Sequence, residues 1–207
     1  MNVVASWPAL WIALIVGAYW ARVLKLVYKS YKQTGQNAGF WPEEKLGRVL
    51  RFVWFPAISL WFIIPLIVAF RGARYLWSIR TLEWIGVAIA IFAFGFTLVC
   101  WKRMGKSWRM GITPGERTQL IFSGPYAYVR HPIYALSSLL MVASMLAVPM
   151  LAMIVIGIVH LFFLQWEARR EEQYLVRTHG EDYEQYLKRV GRFVPRSFAG
   201  YHGTPAS

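Results

Sequence analysis

Acidic residues are scarce in this chain, ten in 207, and cysteine occurs once, as Cys100. A single cysteine inside an apolar stretch excludes both a disulfide framework and a cysteine metal site. The four histidines, His131, His160, His179 and His202, do not fall at metal-ligand spacing. The chain also lacks a G-x-G-x-x-G turn after a strand, a Walker A sequence and an H-E-x-x-H pair, which removes the common dinucleotide, nucleoside triphosphate and zinc-protease readings. Charge of either sign is thin. Only 16% of residues are charged, where soluble domains carry about 25%. No basic residue precedes the first apolar run, since Met1–Trp7 is uncharged, so that run is expected to be a membrane helix and not a cleaved signal.

What fills the space is apolar. Hydrophobic residues make up 57% of the chain and aromatics 17%. Four long runs, Pro8–Ala21, Val53–Phe70, Trp84–Trp101 and Ile133–Gln165, contain almost no charge. A helix needs about 20 apolar residues to cross a bilayer. The second and third runs fit one crossing each, and the first fits if Arg22 and Lys25 snorkel. The fourth would reach roughly 50 Å as one helix, too long for a hydrocarbon core of about 30 Å. Pro149 sits at its middle, where its missing N–H and fixed φ break a helix. The pattern therefore predicts an all-α, polytopic membrane protein with five membrane helices, the last two forming an antiparallel hairpin.

The net charge of +13 follows this layout. Lysines and arginines cluster in residues 22–51, 102–130 and 166–207, which together hold 20 of the 23, and the positive-inside rule places those segments in the cytoplasm. The N-terminus is then expected outside and the C-terminus inside. The charge reads as topology with some attraction to anionic membrane lipids, and no nucleic-acid partner is expected. Tyr28–Arg51 reads as a cytoplasmic loop that can hold a short surface helix, Arg71–Thr81 as a short outer turn and Lys102–Leu120 as an ordered cytoplasmic loop. Beyond Trp166 a charged helical pattern runs to a stop at Gly180, and Tyr183, Tyr186, Leu187 and Val190 share one face of a further short helix. Gly200–Ser207 reads as a loose tail.

Two polar clusters flank the hairpin. Arg130 and His131 immediately precede it, and Glu167, Arg169, Arg170, Glu171 and Glu172 follow it. An antiparallel pair brings its two cytoplasmic ends together, so cations face an acid-rich cluster at the membrane surface. Such an arrangement suits a zwitterion, and charge at membrane depth points to function. Interfacial Arg, His and Tyr also serve as plain helix-end anchors, and a Glu/Arg-rich stretch as a solvated helix face. His160, alone in an apolar run, reads as a satisfied core histidine, with a pocket role as the alternative.

The words around these clusters carry a resemblance. Ser123, Gly124, Pro125, Tyr126, Arg130, His131, Pro132 and Tyr134 follow S-G-P-Y-x-x-x-R-H-P-x-Y, which resembles the signature of the isoprenylcysteine carboxyl methyltransferase family, itself similar to the membrane phospholipid N-methyltransferases. Glu171-Glu172, Leu175, Gly180, Tyr183 and Tyr186, followed by Val194-Pro195-Arg196, resemble that family's second motif, and Gly105–Arg109 resembles the loop before the first. The resemblance covers roughly residues 84–196. It divides the chain into two leading helices with their loops (1–83), a methyltransferase core (84–196) and a tail (197–207). His179 stands where the family usually has phenylalanine, and Ala135-Leu136 where it usually has a small residue and glycine.

The resemblance implies S-adenosylmethionine as methyl donor. Gly124, Tyr126, Arg130, His131, Pro132 and Tyr134 would line its pocket from one side, and Glu171 and Glu172 from the other. His131, with Arg130, is expected to meet the methionine carboxylate and Glu172 the ammonium. Glu167 and Arg170, nearer the membrane, are expected to orient the acceptor. That acceptor is lipophilic: an isoprenylated cysteine carboxylate first, with phosphatidylethanolamine or another small hydrophobic molecule as alternatives. An NADPH-dependent reductase of the sterol type, or a non-catalytic membrane scaffold, are the readings of a different class. The Glu171-Glu172 pair argues against the reductase, because a dinucleotide's phosphates want cations there.

Overall fold

A computed structural model describes residues 6–35, 39–42, 44–105, 108, 120–201 and 203. Helix α1 spans Trp7–Thr34, with Ser6 as its cap: the Ser6 hydroxyl accepts from the Ala9 N–H at 3.4 Å. It ends at Gly35, whose φ of 69° lets its N–H turn back to the Tyr31 carbonyl at 2.9 Å. Helix α2 runs over Lys45–Arg71 and α3 over Arg80–Met104. Helix α4, Pro132–Ala147, and α5, Leu151–His179, form the expected hairpin. The break falls at Val148–Met150, where Pro149 cannot continue the helix and its carbonyl instead accepts from the Leu76 N–H at 2.8 Å. A short amphipathic helix, α6, covers Glu181–Arg189 after Gly180. Among the described residues there is no strand, only one isolated parallel bridge between Val129 and Gly191.

Helices α1, α2, α3 and α5 are long and apolar enough to cross a membrane. Helix α4 has 16 residues and reaches about 24 Å, short of a hydrocarbon core of about 30 Å. It is packed mainly along α3 and α5. The contact with α3 is close because small residues meet there. A Cβ on Gly86 would lie 2.6 Å from the Ala143 carbonyl oxygen and 2.9 Å from the Ala147 nitrogen. Small residues at helix contacts let backbones approach where apolar association gains nothing from lipid. Tyr19, Trp61, Trp101, Leu140, Met141 and Met153 fill the core, while Phe52, Phe70, Phe92 and Phe162 point outward.

Several expectations change here. Tyr28–Arg51 is not a loop: α1 continues to Thr34 and α2 begins at Lys45, so helix ends project past the apolar span. Lys25, Lys29 and Lys32 stand exposed on that projection, and nothing breaks the helix before Gly35. Most of Lys102–Leu120 lies outside the described residues; of its interior, Trp108 is buried against the main core. Most of Gly200–Ser207 also lies outside them, but Tyr201 is held: its N–H donates to the Ala127 carbonyl at 2.9 Å and its ring packs on Phe122 and Tyr186.

Candidate active site at the charged end of the hairpin

Local sequence sets the first wall. Gly124 adopts φ of 65°, a conformation that favours glycine, and opens the 3-10 turn Gly124–Ala127. That turn buries Tyr126, whose carbonyl accepts from the Tyr186 hydroxyl at 2.6 Å. Pro132 then starts α4 at a position where no N–H is needed. Residues 129–131 run beside the segment after α6: the Arg130 N–H donates to the Gly191 carbonyl at 2.8 Å and the His131 N–H to the Arg192 carbonyl at 3.0 Å. Burial pushes the phenols of Tyr126, Tyr183 and Tyr186 far above their ordinary value, so all three remain protonated.

The two predicted clusters do meet. Arg130 Nη2 lies 2.8 Å from Glu172 Oε1, and Nε donates to the same oxygen at 2.9 Å. Arg130 Nη1 donates to the carbonyls of Leu187 and Val190, at the end of α6. Arg192 grips Glu172 from the other side, its Nε donating to Oε1 at 3.0 Å and to Oε2 at 3.1 Å. The hydrogen bond to Glu172 holds the Arg192 guanidinium above its ordinary pKa. The donors of Arg130 and the oxygens of Glu172 are therefore spent on tying α5 to α6. His131 stands differently. Its Nδ1 is 3.6 Å from Glu171 Oε2, and its Nε2 is 3.3 Å from Glu172 Oε1 without the alignment of a hydrogen bond. The His131 ring lies parallel to Tyr134, with centroids 5.4 Å apart, and the Tyr134 hydroxyl is hydrogen-bonded to Glu171. Glu171 keeps 30% of its side chain exposed, where Glu172 is buried.

One turn deeper on α5, Glu167 is buried between two guanidiniums. Arg170 Nη2 lies 2.9 Å from Oε2, and Arg51 Nη2 donates to Oε1 at 2.9 Å. Arg170 also reaches the Glu44 carboxylate at 3.2 Å. Arg51 comes from α2, is fully buried, and lies against the Trp54 and Phe163 rings at 5.2 and 5.1 Å from their centroids. Its Nη2 also donates to the Gly39 carbonyl at 3.3 Å, while Nε and Nη1 find no acceptor among the described residues. A buried donor left unpaired costs about 1–3 kcal/mol, so such a group needs an explanation.

Sequence reasoning missed Arg51 and Arg192. Both entered only the tally of basic residues outside the apolar runs; the one available signal was an arginine placed just before the apolar run of α2. His160 is the core histidine it was read as. Trp54 Nε1 donates to Nδ1 at 3.2 Å, and a tryptophan N–H cannot accept, so Nε2 carries the proton and donates to the Ser137 hydroxyl at 3.0 Å. No group of three metal-ligating side chains occurs among the described residues.

Beside Glu172 and Arg192 a cavity of about 600 Å³ opens, lined also by Arg169, Gln173, Arg177 and Leu187. Three guanidiniums, those of Arg169, Arg177 and Arg192, edge this cavity beside the Glu172 carboxylate. The Tyr126 hydroxyl, buried with no partner among the described residues, and the partly exposed Glu171 carboxylate lie outside its lining.

Residues 84–177 match the model of the isoprenylcysteine carboxyl methyltransferase (ICMT) family, so the likeness read from the motifs holds over α3, α4 and most of α5. That family implies S-adenosylmethionine as the methyl donor. The chain is also similar to a methanethiol S-methyltransferase of Crocosphaera subtropica, 25% identical over 186 residues that cover 86% of this chain and 65% of the relative. The chain thus spans somewhat less than two thirds of that relative's length.

Proposed function

We propose that this protein is an integral membrane methyltransferase that moves a methyl group from S-adenosylmethionine to a small lipophilic acceptor carrying a thiol. The observation that supports it best is the stacking of two charged sites on α5. The cluster of His131, Tyr134 and Glu171 lies toward α6, and the buried Arg51–Glu167–Arg170 network lies one turn toward the apolar part of α5. Glu167 and Glu171 are four residues apart, hence about 6 Å along one helix face.

S-adenosylmethionine, when bound, supplies a methyl group already activated by its sulfonium. The protein's part is then mostly positioning. Glu171 would face the ammonium in place of Glu172, whose oxygens are occupied, and Tyr134 steadies it by a hydrogen bond. His131 and the guanidiniums edging the cavity would hold the carboxylate, and Tyr126 would donate its free hydroxyl proton. Gly124 and Pro132 shape the turn that carries these groups. Arg130 and Glu172 keep α5 and α6 together behind them. Glu167 and Arg170 would orient the acceptor, which enters from the lipid between helices while the donor enters from the cytoplasm.

The thiol is preferred because the similar methanethiol S-methyltransferase spans most of this chain. A prenylated cysteine carboxylate is the second reading, favoured by the match of residues 84–177. Calorimetry of detergent-purified protein should detect S-adenosylhomocysteine and not NADPH. Labelled methyl should pass to methanethiol in preference to a farnesylated cysteine or phosphatidylethanolamine. Binding of NADPH alone would sink the methyltransferase reading, and transfer to the farnesylated cysteine alone would move the acceptor to the second.

A further inference from the structure

Arg51 lies outside the stretch that matches the family, yet it reaches the membrane-facing end of the site across 116 positions of sequence. Its neighbours leave its charge unbalanced. Arg51 and Arg170 share the single buried carboxylate of Glu167. The other carboxylates nearby are open to solvent: Glu44 is 60% exposed and pairs with Arg170, and Glu171, one turn from Glu167 on α5, is 30% exposed. From α4, Tyr134 adds a neutral phenol nearby, and the remaining walls are the rings of Trp54, Phe163 and Trp166, the last beneath Arg170 at 5.0 Å. The Arg51 guanidinium therefore sits among apolar rings, where two guanidiniums share one buried carboxylate and its Nε and Nη1 are unpartnered among the described residues.

On the methyltransferase reading above, we infer that Arg51 selects the acceptor by charge: the site takes an apolar nucleophile in its anionic form, a thiolate, and rejects amines. A cation in low dielectric favours thiolate over thiol and repels an ammonium. Glu167 already accepts from two guanidiniums and is a poor base, so the thiol proton leaves to water. The acceptor sulfur then bonds to the methyl carbon as the bond from that carbon to the sulfonium sulfur breaks, and the bonding electrons stay with the departing thioether. Arg51 acts here as a specificity and positioning residue, because it works through the charge of the pocket.

The test compares wild type, Arg51→Lys, Arg51→Gln and Glu167→Gln as full chains in detergent. Calorimetry without methyl donor measures 1-butanethiol and 1-butylamine across pH, and S-adenosylhomocysteine separately. Wild type should bind butanethiol, with an affinity that rises as pH rises but at lower pH than the free thiol ionises, and should not bind butylamine. Arg51→Gln should lose tenfold or more in butanethiol affinity and move the pH profile toward that of the free thiol, with S-adenosylhomocysteine affinity within twofold. Arg51→Lys should restore most of the thiol binding. Glu167→Gln, which removes the competing anion, should tighten it, and this holds the inference open to refutation if Arg51→Gln does not fold. Equal binding of butylamine, an unchanged Arg51→Gln profile, or weaker thiol binding by Glu167→Gln would overturn the inference alone. Failure of wild type to bind S-adenosylhomocysteine would instead remove the methyltransferase reading beneath it.

Discussion

Arg130 and Glu172, 42 positions apart, form a buried ion pair at 2.8 Å that fastens the start of α4 to the end of α5, and through the Leu187 and Val190 carbonyls to α6. Removing one partner of a buried pair strands the other and costs about 3–5 kcal/mol. Glu172→Gln should therefore lower the thermal midpoint in detergent markedly and loosen the cofactor side as a consequence. The double change Arg130→Met with Glu172→Leu should recover much of that loss, since Arg192 lies nearer the surface and can turn to water. A midpoint unmoved by Glu172→Gln would refute the clamp.

Tyr126 tests the donor pocket more sharply. Its hydroxyl makes no hydrogen bond among the described residues, so Tyr126→Phe removes nothing the fold relies on. Stability should change by less than about 0.5 kcal/mol. Affinity for S-adenosylhomocysteine should fall roughly tenfold, the worth of one hydrogen bond near the upper end of its usual range. Unchanged affinity would place the ligand elsewhere.

Two glycines on α3 make a matched pair. A Cβ on Gly86 meets backbone atoms of α4, which cannot swing aside, whereas a Cβ on Gly95 meets nothing within 4 Å. Gly86→Ala should cost about 1–3 kcal/mol by forcing α3 and α4 apart. Gly95→Ala should be neutral or stabilising by up to about 1 kcal/mol. Melting curves of both variants decide the matter, and equal effects would contradict the close helix contact.

Orientation can be read with single cysteines, because Cys100 is the chain's only one and is buried. In a Cys100→Ala background, Ser78→Cys should react with an impermeant maleimide in intact cells, and Ser197→Cys only after permeabilisation. Both serines stand exposed, Ser78 between α2 and α3 and Ser197 after α6. The reverse pattern would invert the proposed N-out, C-in arrangement.

Much of the hairpin was legible. An apolar run too long for one crossing, with Pro149 in its middle, leaves a turn as the only economical path, and the polar words on either side must then meet. The extent of the helices was less legible, because Lys25, Lys29 and Lys32 read as loop charge when they are the solvated end of α1. Helix backbone hydrogen bonds continue into water as readily as in lipid, so hydropathy marks where the membrane ends and not where the helix does.

The sequence by itself determined an all-helical membrane chain, a broken last run, and a meeting of Arg130 and His131 with the acids that follow the last apolar run. Those are local or nearest-neighbour consequences of apolar length, proline geometry and charge. Only the tertiary structure decided which partners each charge takes. Arg192 returns along residues 129–131 to occupy Glu172, leaving Glu171 as the open carboxylate, and Arg51 crosses from α2 to Glu167. No periodicity encodes such contacts, because a buried charge settles on whichever opposite charge the packing of whole helices brings within hydrogen-bond reach.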